Sequence, residues 1–225
     1  MSDGEIRCEK LVKTYNVGQP NEFKALRGLD LHIDLGDYVS IVGPSGSGKS
    51  TLLNLLSCLD SPTSGYVYIE GADINSLSDN KKARLRREKL GFVFQQFNLI
   101  KSMTAFENIA LPMRFLGLGR SERKKRVEKL LSLMDLEDKG ANRPSELSGG
   151  QQQRIAIARA LANNPKIILA DEPTGNLDTK TGSSIMDFLL RLNREESKTL
   201  VMVTHDEAIA AKADREIHIR DGLVV

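Results

Sequence analysis

Short apolar runs alternate with segments of helical periodicity along most of the chain. The run at 37–42 breaks off at Gly43, as a buried strand does where it delivers the chain to a loop. Further runs of this kind predict strands at 66–70, 90–94, 166–170, 199–204 and 216–220. Because the intervening residues carry helical patterns, the alternation predicts a largely parallel sheet covered on both faces.

The C-terminal part contains one strongly amphipathic segment and a predicted hairpin. Over 179–193 the apolar side chains fall on a single helical stripe, formed by Ile185, Met186, Leu189 and Leu190. This pattern predicts a helix that faces the core. Asp221 and Gly222 then predict a turn into a last short strand, and we expect no regulatory domain after it.

The middle of the chain, 97–161, has a different pattern that predicts a helical insert. Thr104 and Glu107 have the spacing of a capping box, which opens a helix whose interior Pro112 should kink it. A second helix is indicated by the apolar spacing of Val127, Leu130, Leu131 and Met134. We therefore expect one domain over 1–225, with a core of about 1–96 and 162–225 and a helical subdomain of about 97–161.

Composition agrees with one compact domain and gives no support for a nucleic-acid binder. The 225 residues are 40% hydrophobic and 28% charged, and the net charge of +2 is too mild for a concentrated basic face. Two basic clusters, at 81–89 and 120–126, are either solvated helix faces or contacts to anionic lipid or a partner. No apolar run approaches the ~18 residues of a membrane span, and the start MSDGEIRCEK lacks a secretory apolar core, so we expect a cytosolic protein.

The two cysteines give no indication of a disulfide framework or a zinc site. Cys8 and Cys58 stand 50 positions apart without a CxxC partner. We expect both to be buried as small hydrophobic residues.

A glycine-rich segment between the strand at 37–42 and an apolar helix fits the phosphate-binding pattern G-x-x-x-x-G-K-[ST]. Its glycines let backbone N–H groups turn inward around phosphates at a helix N-terminus. Lys49 is expected to pair with the β- and γ-phosphates and Ser50 to ligate Mg²⁺. The predicted nucleotide site comprises Gly43, Pro44, Ser45, Gly46, Ser47, Gly48, Lys49, Ser50 and Thr51.

An acidic pair follows the buried strand at 166–170. Asp171 and Glu172 are adjacent, and a strand would direct them to opposite sides. One carboxylate can then hold the metal while the other activates water. We assign Asp171 to the Mg²⁺ shell and Glu172 to the role of general base.

A second glycine-rich helix start follows at 148–151. Ser148 and Gln151 have the spacing of a capping box. A capping box accounts for these two residues, but it does not account for the two glycines between them, Gly149 and Gly150. Bare N–H groups at these glycines, together with the helix dipole, would make a second phosphate receptor. Two receptors in one chain suggest a dimer in which each copy completes the other's site.

These three motifs, in their order along the chain, resemble those of an ATP-binding cassette (ABC) ATPase over nearly the whole chain. Walker A corresponds to 43–51, the signature to 147–151 and Walker B to 167–172. The resemblance implies an α/β fold: a P-loop NTPase (RecA-like) core with a mainly parallel sheet, an N-terminal antiparallel β region and an inserted α-helical subdomain. It also implies a homodimer closed around ATP and Mg²⁺, with Ser148, Gly149, Gly150 and Gln151 facing the partner's nucleotide.

The resemblance assigns roles to four further residues. Tyr15 should stack on adenine, and Gln95 should sense Mg²⁺ and the γ-phosphate. Asp178 should lie across the dimer interface. His205 should contact the γ-phosphate, so that the catalytic group is Glu172, His205, Lys49 and Gln95.

One segment departs from the family pattern, and other segments suggest a branch. Gly175 and Asn176 stand before Leu177 and Asp178 where many relatives carry a serine-alanine pair, which affects the expected coupling between sites. The segments 58–65, 91–98, 161–165 and 176–182 resemble the lipoprotein-release and macrolide-export branch.

The implied partner is an integral membrane permease, which would hold the protein at the cytoplasmic face of the membrane. Its coupling helix should enter a groove beside Gln95, with 97–112 lining one side. One alternative is an ABC ATPase that drives a mechanotransmission or cell-division complex without transport. A nucleic-acid-associated ABC protein of repair or translation is a weaker alternative, because those relatives typically carry long coiled coils or two cassettes.

Overall fold

The N-terminal part of the chain forms an antiparallel sheet. The structure is a computed structural model that describes residues 6–225, so the first five residues of the predicted non-secretory start lie outside it. The strands are β1 (Ile6–Tyr15), β2 (Phe23–Ile33), β4 (Ser64–Ile69) and β5 (Ala72–Asp73), and they lie in the order β2-β1-β4-β5. The antiparallel N-terminal region implied by the resemblance is confirmed.

A second sheet of six strands contains the predicted parallel strands, except the one at 66–70, which is β4 and pairs antiparallel with β1 in the first sheet. The six strands are β3 (Tyr38–Val42), β6 (Leu90–Phe94), β7 (Ile167–Asp171), β8 (Thr199–Val203), β9 (Arg215–Arg220) and β10 (Leu223–Val224). Their order is β10-β9-β3-β8-β7-β6, parallel throughout except for the last hairpin of β9 and β10. The prediction of a largely parallel sheet is therefore correct.

Seven α-helices connect the strands of the described chain. They are α1 (Lys49–Leu56), α2 (Asp79–Lys89), α3 (Ala105–Leu116), α4 (Arg120–Leu133), α5 (Gly149–Ala160), α6 (Thr179–Glu196) and α7 (Glu207–Ala210). Helices α3, α4 and α5 follow one another between β6 and β7, where the sequence predicts a helical insert. Among residues 6–225, no helix is both long and apolar enough to cross a bilayer.

The central strands divide the core into two apolar layers. Successive strand residues point to opposite faces, so Ile168 and Ala170 of β7 pack with the helices α3 to α6. Ile167 and Leu169 of the same strand pack on the other side, with α1 and the antiparallel sheet. Both faces of the parallel sheet are thus covered, as the near-continuous apolar character of its strands requires.

Both cysteines lie in this second layer. Cys8 is 2% exposed and Cys58 is 4% exposed, and neither forms a disulfide. Burial raises the pKa of Cys8 to about 12 and that of Cys58 to about 11. The thiols therefore stay protonated and act as small hydrophobic groups, as the sequence predicts.

The first basic cluster is largely engaged within the chain. Arg86 Nη1 donates to the carbonyl oxygen of Cys58 over 2.7 Å, and Lys89 Nζ lies 2.7 Å from Glu70 Oε2. Arg84 pairs with Glu88 one helical turn away. The contacts of Arg86 and Lys89 fix α2 against the segments that follow α1 and β4, so these two residues are more than part of a solvated face.

The predicted capping box opens α3. Glu107 N donates to Thr104 Oγ1 over 3.2 Å, and Thr104 N donates to Glu107 Oε2 over 2.8 Å. The helix continues past Pro112 to Leu116 and ends at Gly117, which has a φ of 90°. The kink expected at Pro112 stays a prediction.

Asn108 on α3 is fully buried and holds the segment that leads from the sheet into the helical insert. Its Oδ1 accepts from Ile100 N over 2.8 Å, and its Nδ2 lies within hydrogen-bond distance of the carbonyl oxygens of Ile100, Met103 and Thr104. We expect Asn108→Ala to lower the free energy of unfolding by about 2–4 kcal/mol, because buried backbone groups lose their partners. Denaturant unfolding of the purified protein measures this loss.

Asn75→Ala is the matched control for this prediction. Asn75 also donates from Nδ2 to a backbone carbonyl, that of Gly65 over 2.8 Å, but at the surface. We expect it to cost less than about 1 kcal/mol. Equal losses for the two variants would contradict the role given to Asn108.

Candidate active site

The carboxyl ends of three neighbouring parallel strands lie level at one edge of the sheet. Ile41 of β3 pairs with Val203 of β8, and Val203 pairs with Asp171 of β7. The three strands therefore end side by side at the same edge of the sheet. The glycine-rich loop, the acidic pair and the loop containing His205 are consequently brought together.

The glycine-rich loop is shaped to surround an anion. Gly48 has a φ of 107°, and a Cβ there would lie 2.6 Å from the carbonyl oxygen of Ala25, so the close approach requires glycine. Ser47 is 3% exposed, and its hydroxyl oxygen has no hydrogen-bond partner within residues 6–225. A buried hydroxyl without a partner is costly unless a ligand engages it. The loop thus fits phosphate binding at the start of α1.

Lys49 is held inside the loop, facing the acidic pair. Its Nζ donates to the carbonyl oxygens of Gly43 over 2.7 Å and Pro44 over 2.8 Å. Burial lowers the pKa of Lys49, while Glu172 and Asp171 act in the opposite direction. The structure thus brings Lys49 and both carboxylates into one electrostatic site.

The acidic pair is arranged differently from the sequence prediction. Asp171 is the last residue of β7, but Glu172 lies outside the strand in the left-handed region, with a φ of 43°. The turn, and not the alternation of a strand, therefore sets the direction of Glu172. Glu172 N donates to the carbonyl oxygen of Val203 over 2.9 Å, which ties this strained residue to β8.

Asp171 is the carboxylate that the sequence assigns to the Mg²⁺ shell. Burial raises its pKa, Glu172 raises it further, and Lys49 opposes both. Within the described residues, no group of three or more His, Cys, Asp or Glu side chains is arranged to hold a metal. Hard oxygen ligands from Asp171, the Ser50 hydroxyl, the Gln95 amide, phosphate and water fit Mg²⁺, which seldom has an all-protein cage.

His205 contacts the second carboxylate directly. His205 Nδ1 lies 2.8 Å from Glu172 Oε1, and 68% of the His205 side chain is exposed. The neighbouring Asp206 caps α7 by accepting from Ala208 N over 2.8 Å, which fixes the loop around His205. The sequence predicts each of these two catalytic candidates, but not the hydrogen bond between them.

Gln95 follows β6 and lies beside the acidic pair. Phe94, the last residue of β6, pairs with Asp171. A Cβ built on Gly175 would lie 2.8 Å from Gln95 Nε2 and 3.3 Å from Glu172 Oε2, so both side chains border the same small space. The structure therefore joins Gln95 to the predicted catalytic group.

The second glycine-rich segment begins α5 with the predicted capping box. Gln151 N donates to Ser148 Oγ over 3.3 Å, and Ser148 N donates to Gln151 Oε1 over 2.9 Å. The first N–H groups of a helix, here at Gly149 and Gly150, have no partner within the helix. A surface cavity of about 350 Å³ opens at Ser148 and Gly150, and its lining includes no residue of the glycine-rich loop.

Asp178 and Tyr15 have local partners in the structure. Asp178 caps α6 by accepting from Thr181 N over 3.0 Å, and this hydrogen bonding lowers the pKa of Asp178. Tyr15 ends β1, donates its hydroxyl to Asp60 Oδ2 over 3.2 Å, and has Lys13 Nζ 4.8 Å from its ring centroid. Their predicted contacts with a second copy and with adenine stay predictions.

Two residues that link the site to α5 escape the sequence analysis. Gln153 is fully buried and its Nε2 donates to the carbonyl oxygen of Pro173, which joins α5 to the loop after Glu172. Arg159 donates to the carbonyl oxygens of Phe97 over 2.8 Å and Asn98 over 2.5 Å. The sequence feature that could have identified them is a polar residue on the buried face of an otherwise apolar helix, because such a residue usually has a specific hydrogen-bond partner.

Comparison with known proteins gives one consistent result. The family described as ABC transporter matches residues 26–175. The chain is 53% identical over 223 residues to the "Uncharacterized ABC transporter ATP-binding protein MJ0796" of Methanocaldococcus jannaschii, covering 97% of this chain and 94% of that one. It is 48% identical over 220 residues to the "Macrolide export ATP-binding/permease protein MacB" of Neisseria gonorrhoeae, covering 98% of this chain but only 34% of that protein.

Solved structures agree with this result. The fold superposes with a TM-score of 0.91, at 50% identity, on a dimeric, post-hydrolysis structure of the cassette MJ0796 bound to ADP and Pi. That match covers 97% of this chain and 96% of the other.

Proposed function

The chain belongs to the ABC transporter family, and from this premise we propose that it powers a membrane exporter as a homodimer closed head to tail around two Mg-ATP. It is an ATP-binding, ATP-hydrolysing ABC transporter cassette. The observation that carries the proposal is the separation of two glycine-rich helix starts, because no residue of the loop that holds Lys49 lines the cavity at Ser148.

A second copy of the chain would complete each site. The glycine-rich loop surrounds phosphates from one side, whereas the start of α5 opens on a different surface of the same chain. In a head-to-tail dimer, Ser148 and Gly150 of the second copy would cap the γ-phosphate held by Lys49. The dimeric structure of the MJ0796 cassette bound to ADP and Pi supports the formation of a dimer. Hydrolysis would remove the bridging γ-phosphate and reopen the dimer.

The residues around the γ-phosphate divide the chemistry between them. Glu172 would accept a proton from the attacking water, and its hydrogen bond to His205 would keep the carboxylate oriented. Lys49 and His205 would stabilise the charge on the transferred phosphoryl group. Asp171, Ser50 and Gln95 would hold Mg²⁺, which when bound supplies positive charge next to the β- and γ-phosphates.

Tyr15 would provide the adenine platform at the end of β1. Lys13 lies over one face of the ring and is itself held by Asp60 Oδ1 at 2.6 Å. Adenine would therefore stack on the opposite face. Stacking of a base on an aromatic ring is sequence-tolerant, which fits a site that selects mainly through phosphate contacts.

A groove between the core and the helical insert would receive the permease. It has a volume of about 520 Å³ and is largely apolar. Its lining combines residues of the core with residues of the insert: Leu59, Phe92, Phe94, Asn98, Leu111, Pro112 and Phe115. Phe115 is 65% exposed and Leu59 is 55% exposed, so the groove is available to a helix of a membrane partner. The permease would hold the cassette at the cytoplasmic face of the membrane.

The groove differs in detail from the predicted lining by 97–112. Phe97 points towards the start of α5, with its Cζ 3.8 Å from a Cβ built on Gly149. Phe106 lines a different cavity, together with Arg114 and Arg123. These two phenylalanines are therefore not suitable probes of the groove, whereas Phe115 is.

We expect Phe115→Ser to abolish most of the stimulation of ATP hydrolysis by the permease and to leave basal hydrolysis unchanged. Losing an exposed aromatic anchor at an interface costs about 2 kcal/mol, or roughly a thirtyfold loss of affinity. The permease can be identified by crosslinking the cassette in native membranes with ATP, followed by mass spectrometry. Stimulated and basal turnover are then compared in proteoliposomes that contain the permease.

Val17→Ser is the control, since Val17 is 64% exposed but does not line the groove. Unchanged stimulation in Phe115→Ser, or an equal loss in both variants, would contradict the proposed coupling surface. Capture of a permease with few spans and a large extracytoplasmic domain would support export, as the likeness to MacB suggests. Capture of no membrane protein would contradict the transporter proposal and leave the ATPase chemistry intact.

A further inference from the structure

The loop after Glu172 contacts Gln95 through Asn176. Asn176 Nδ2 donates to the carbonyl oxygen of Gln95 over 2.9 Å. Two turns hold Asn176 in place, since Gly175 N donates to Glu172 O over 3.1 Å and Leu177 N donates to Thr174 O over 3.0 Å. The donor is thus presented by a hydrogen-bonded loop next to the acidic pair.

Gly175 makes room for the side chain of the same glutamine. A Cβ there would lie 2.8 Å from Gln95 Nε2, which is closer than Cβ atoms come to other atoms in real structures. The φ of Gly175 is not in the left-handed region, so the backbone conformation does not require glycine. The missing side chain therefore leaves room for the Gln95 amide in the space that the Glu172 carboxylate also borders.

We propose that Gly175 and Asn176 together form a contact site that positions Gln95 beside Glu172, with Asn176 acting as a positioning residue. These are the two positions at which this chain departs from the serine-alanine pair of many relatives. A serine at 175 would enter the space that the Gln95 amide occupies, and an alanine at 176 has no side-chain donor for the Gln95 carbonyl. The replacement of the serine-alanine pair by Gly175 and Asn176 therefore affects the position of Gln95 in the same chain.

The contact site joins the segment that follows β6 to the loop that leads into α6. Asn176 lies two residues before Asp178, which caps α6, so the Gln95 carbonyl and the start of α6 are linked through one short loop. The inference rests on the proposed role of Gln95 at Mg²⁺ and the γ-phosphate. Its consequence for catalysis is that loss of the contact should weaken the response to Mg²⁺ more than it lowers the maximal rate.

The position of Gln95 can be measured without activity, by the NMR signals of its side-chain amide. These signals are assigned in the ¹⁵N-labelled protein by their loss in Gln95→Ala. We expect Asn176→Ala and Gly175→Ala each to shift or broaden them. The Gly175→Ala protein should fold, because the atom in the way is the end of a flexible side chain. Asn75→Ala, which removes a surface hydrogen bond of the same kind at Gly65, should leave them unchanged.

The consequence for catalysis is measured by titrating ATP hydrolysis with Mg²⁺. We expect Asn176→Ala to raise the half-saturating Mg²⁺ concentration about two- to tenfold, the effect of losing one hydrogen bond, with a smaller change in kcat. In the Gln95→Ala background the same substitution should have almost no further effect, because the side chain that it positions is gone.

The two measurements separate the contact from the role of Gln95. Unchanged Gln95 signals in Asn176→Ala would overturn the contact site. Altered signals, with a Gln95→Ala protein that responds normally to Mg²⁺, would retain the contact site and reject the role proposed for Gln95. If Gln95→Ala changes the Mg²⁺ response while Asn176→Ala does not, or if Asn176→Ala acts equally in both backgrounds, the positioning role is overturned.

Discussion

Replacing Glu172 with glutamine is expected to lower the rate of ATP hydrolysis about 10²- to 10⁴-fold while ATP still binds with nearly unchanged affinity. Glutamine keeps the shape of the side chain, and its Oε1 can still accept from His205 Nδ1, which lies 2.8 Å from the present carboxylate. The variant loses only the ability to take a proton from water. Steady-state phosphate release and equilibrium nucleotide binding measure the two quantities separately.

Glu195→Gln makes the same change of charge on an exposed part of α6. It should hydrolyse ATP at the normal rate, which excludes a general effect of net charge. Near-normal hydrolysis by Glu172→Gln would contradict the assignment of Glu172 as the base and would direct attention to His205.

Replacing Lys49 with methionine is expected to weaken ATP binding about 10²-fold or more. In the proposed site its Nζ is the cation presented to the β- and γ-phosphates, and each charge-assisted hydrogen bond is worth about 1.5–3 kcal/mol. Because burial lowers the pKa of Lys49, its charge carries a desolvation cost in the folded protein. Methionine removes this cost, which offsets the loss of the hydrogen bonds to the Gly43 and Pro44 carbonyls, so the loss of binding should not be accompanied by unfolding.

Lys124→Met serves as the control, since Lys124 is a 68% exposed residue of α4. It should bind ATP normally. Calorimetric titration with ATP and thermal unfolding of both variants test the prediction. Normal ATP affinity in Lys49→Met, or a clear fall in its melting temperature without ATP, would contradict the account of this lysine.

The elements of this fold follow closely from local sequence patterns. The prediction of a strand at 90–94 matches β6, and Thr104 opens α3 with the capping box that its spacing to Glu107 predicts. Such features succeed because the determining interactions lie within a few residues. The strand at 66–70 matches β4, but its antiparallel pairing came only from the family resemblance, since β1 and β4 pair residues about sixty positions apart.

The sequence predicts the positions of the candidate site residues only in part. The glycine-rich loop and the acidic pair are each local motifs, and the structure brings both to one edge of the sheet. The left-handed conformation of Glu172 and its bond to His205 depend on β7 and β8 lying side by side. No spacing rule within a single segment contains that information.

The links between loops and the helical insert were missed for a related reason. Gln153, Arg159 and Asn176 all donate to backbone carbonyls. Every residue has such a carbonyl, so the sequence does not indicate which residue is the acceptor. The sequence flags such residues only as polar positions in an apolar stripe or as departures from a family pattern. The structure was needed to identify Pro173, Phe97 and Gln95 as their acceptors.

The central claim is that two copies of the chain close around ATP, and the mass of the Glu172→Gln protein in solution tests it most directly. Light scattering coupled to gel filtration should give the mass of two chains with saturating Mg-ATP and of one chain with ADP. The slow variant should hold the γ-phosphate between Lys49 of one copy and Ser148 of the other. A mass of one chain under saturating Mg-ATP would contradict the head-to-tail dimer.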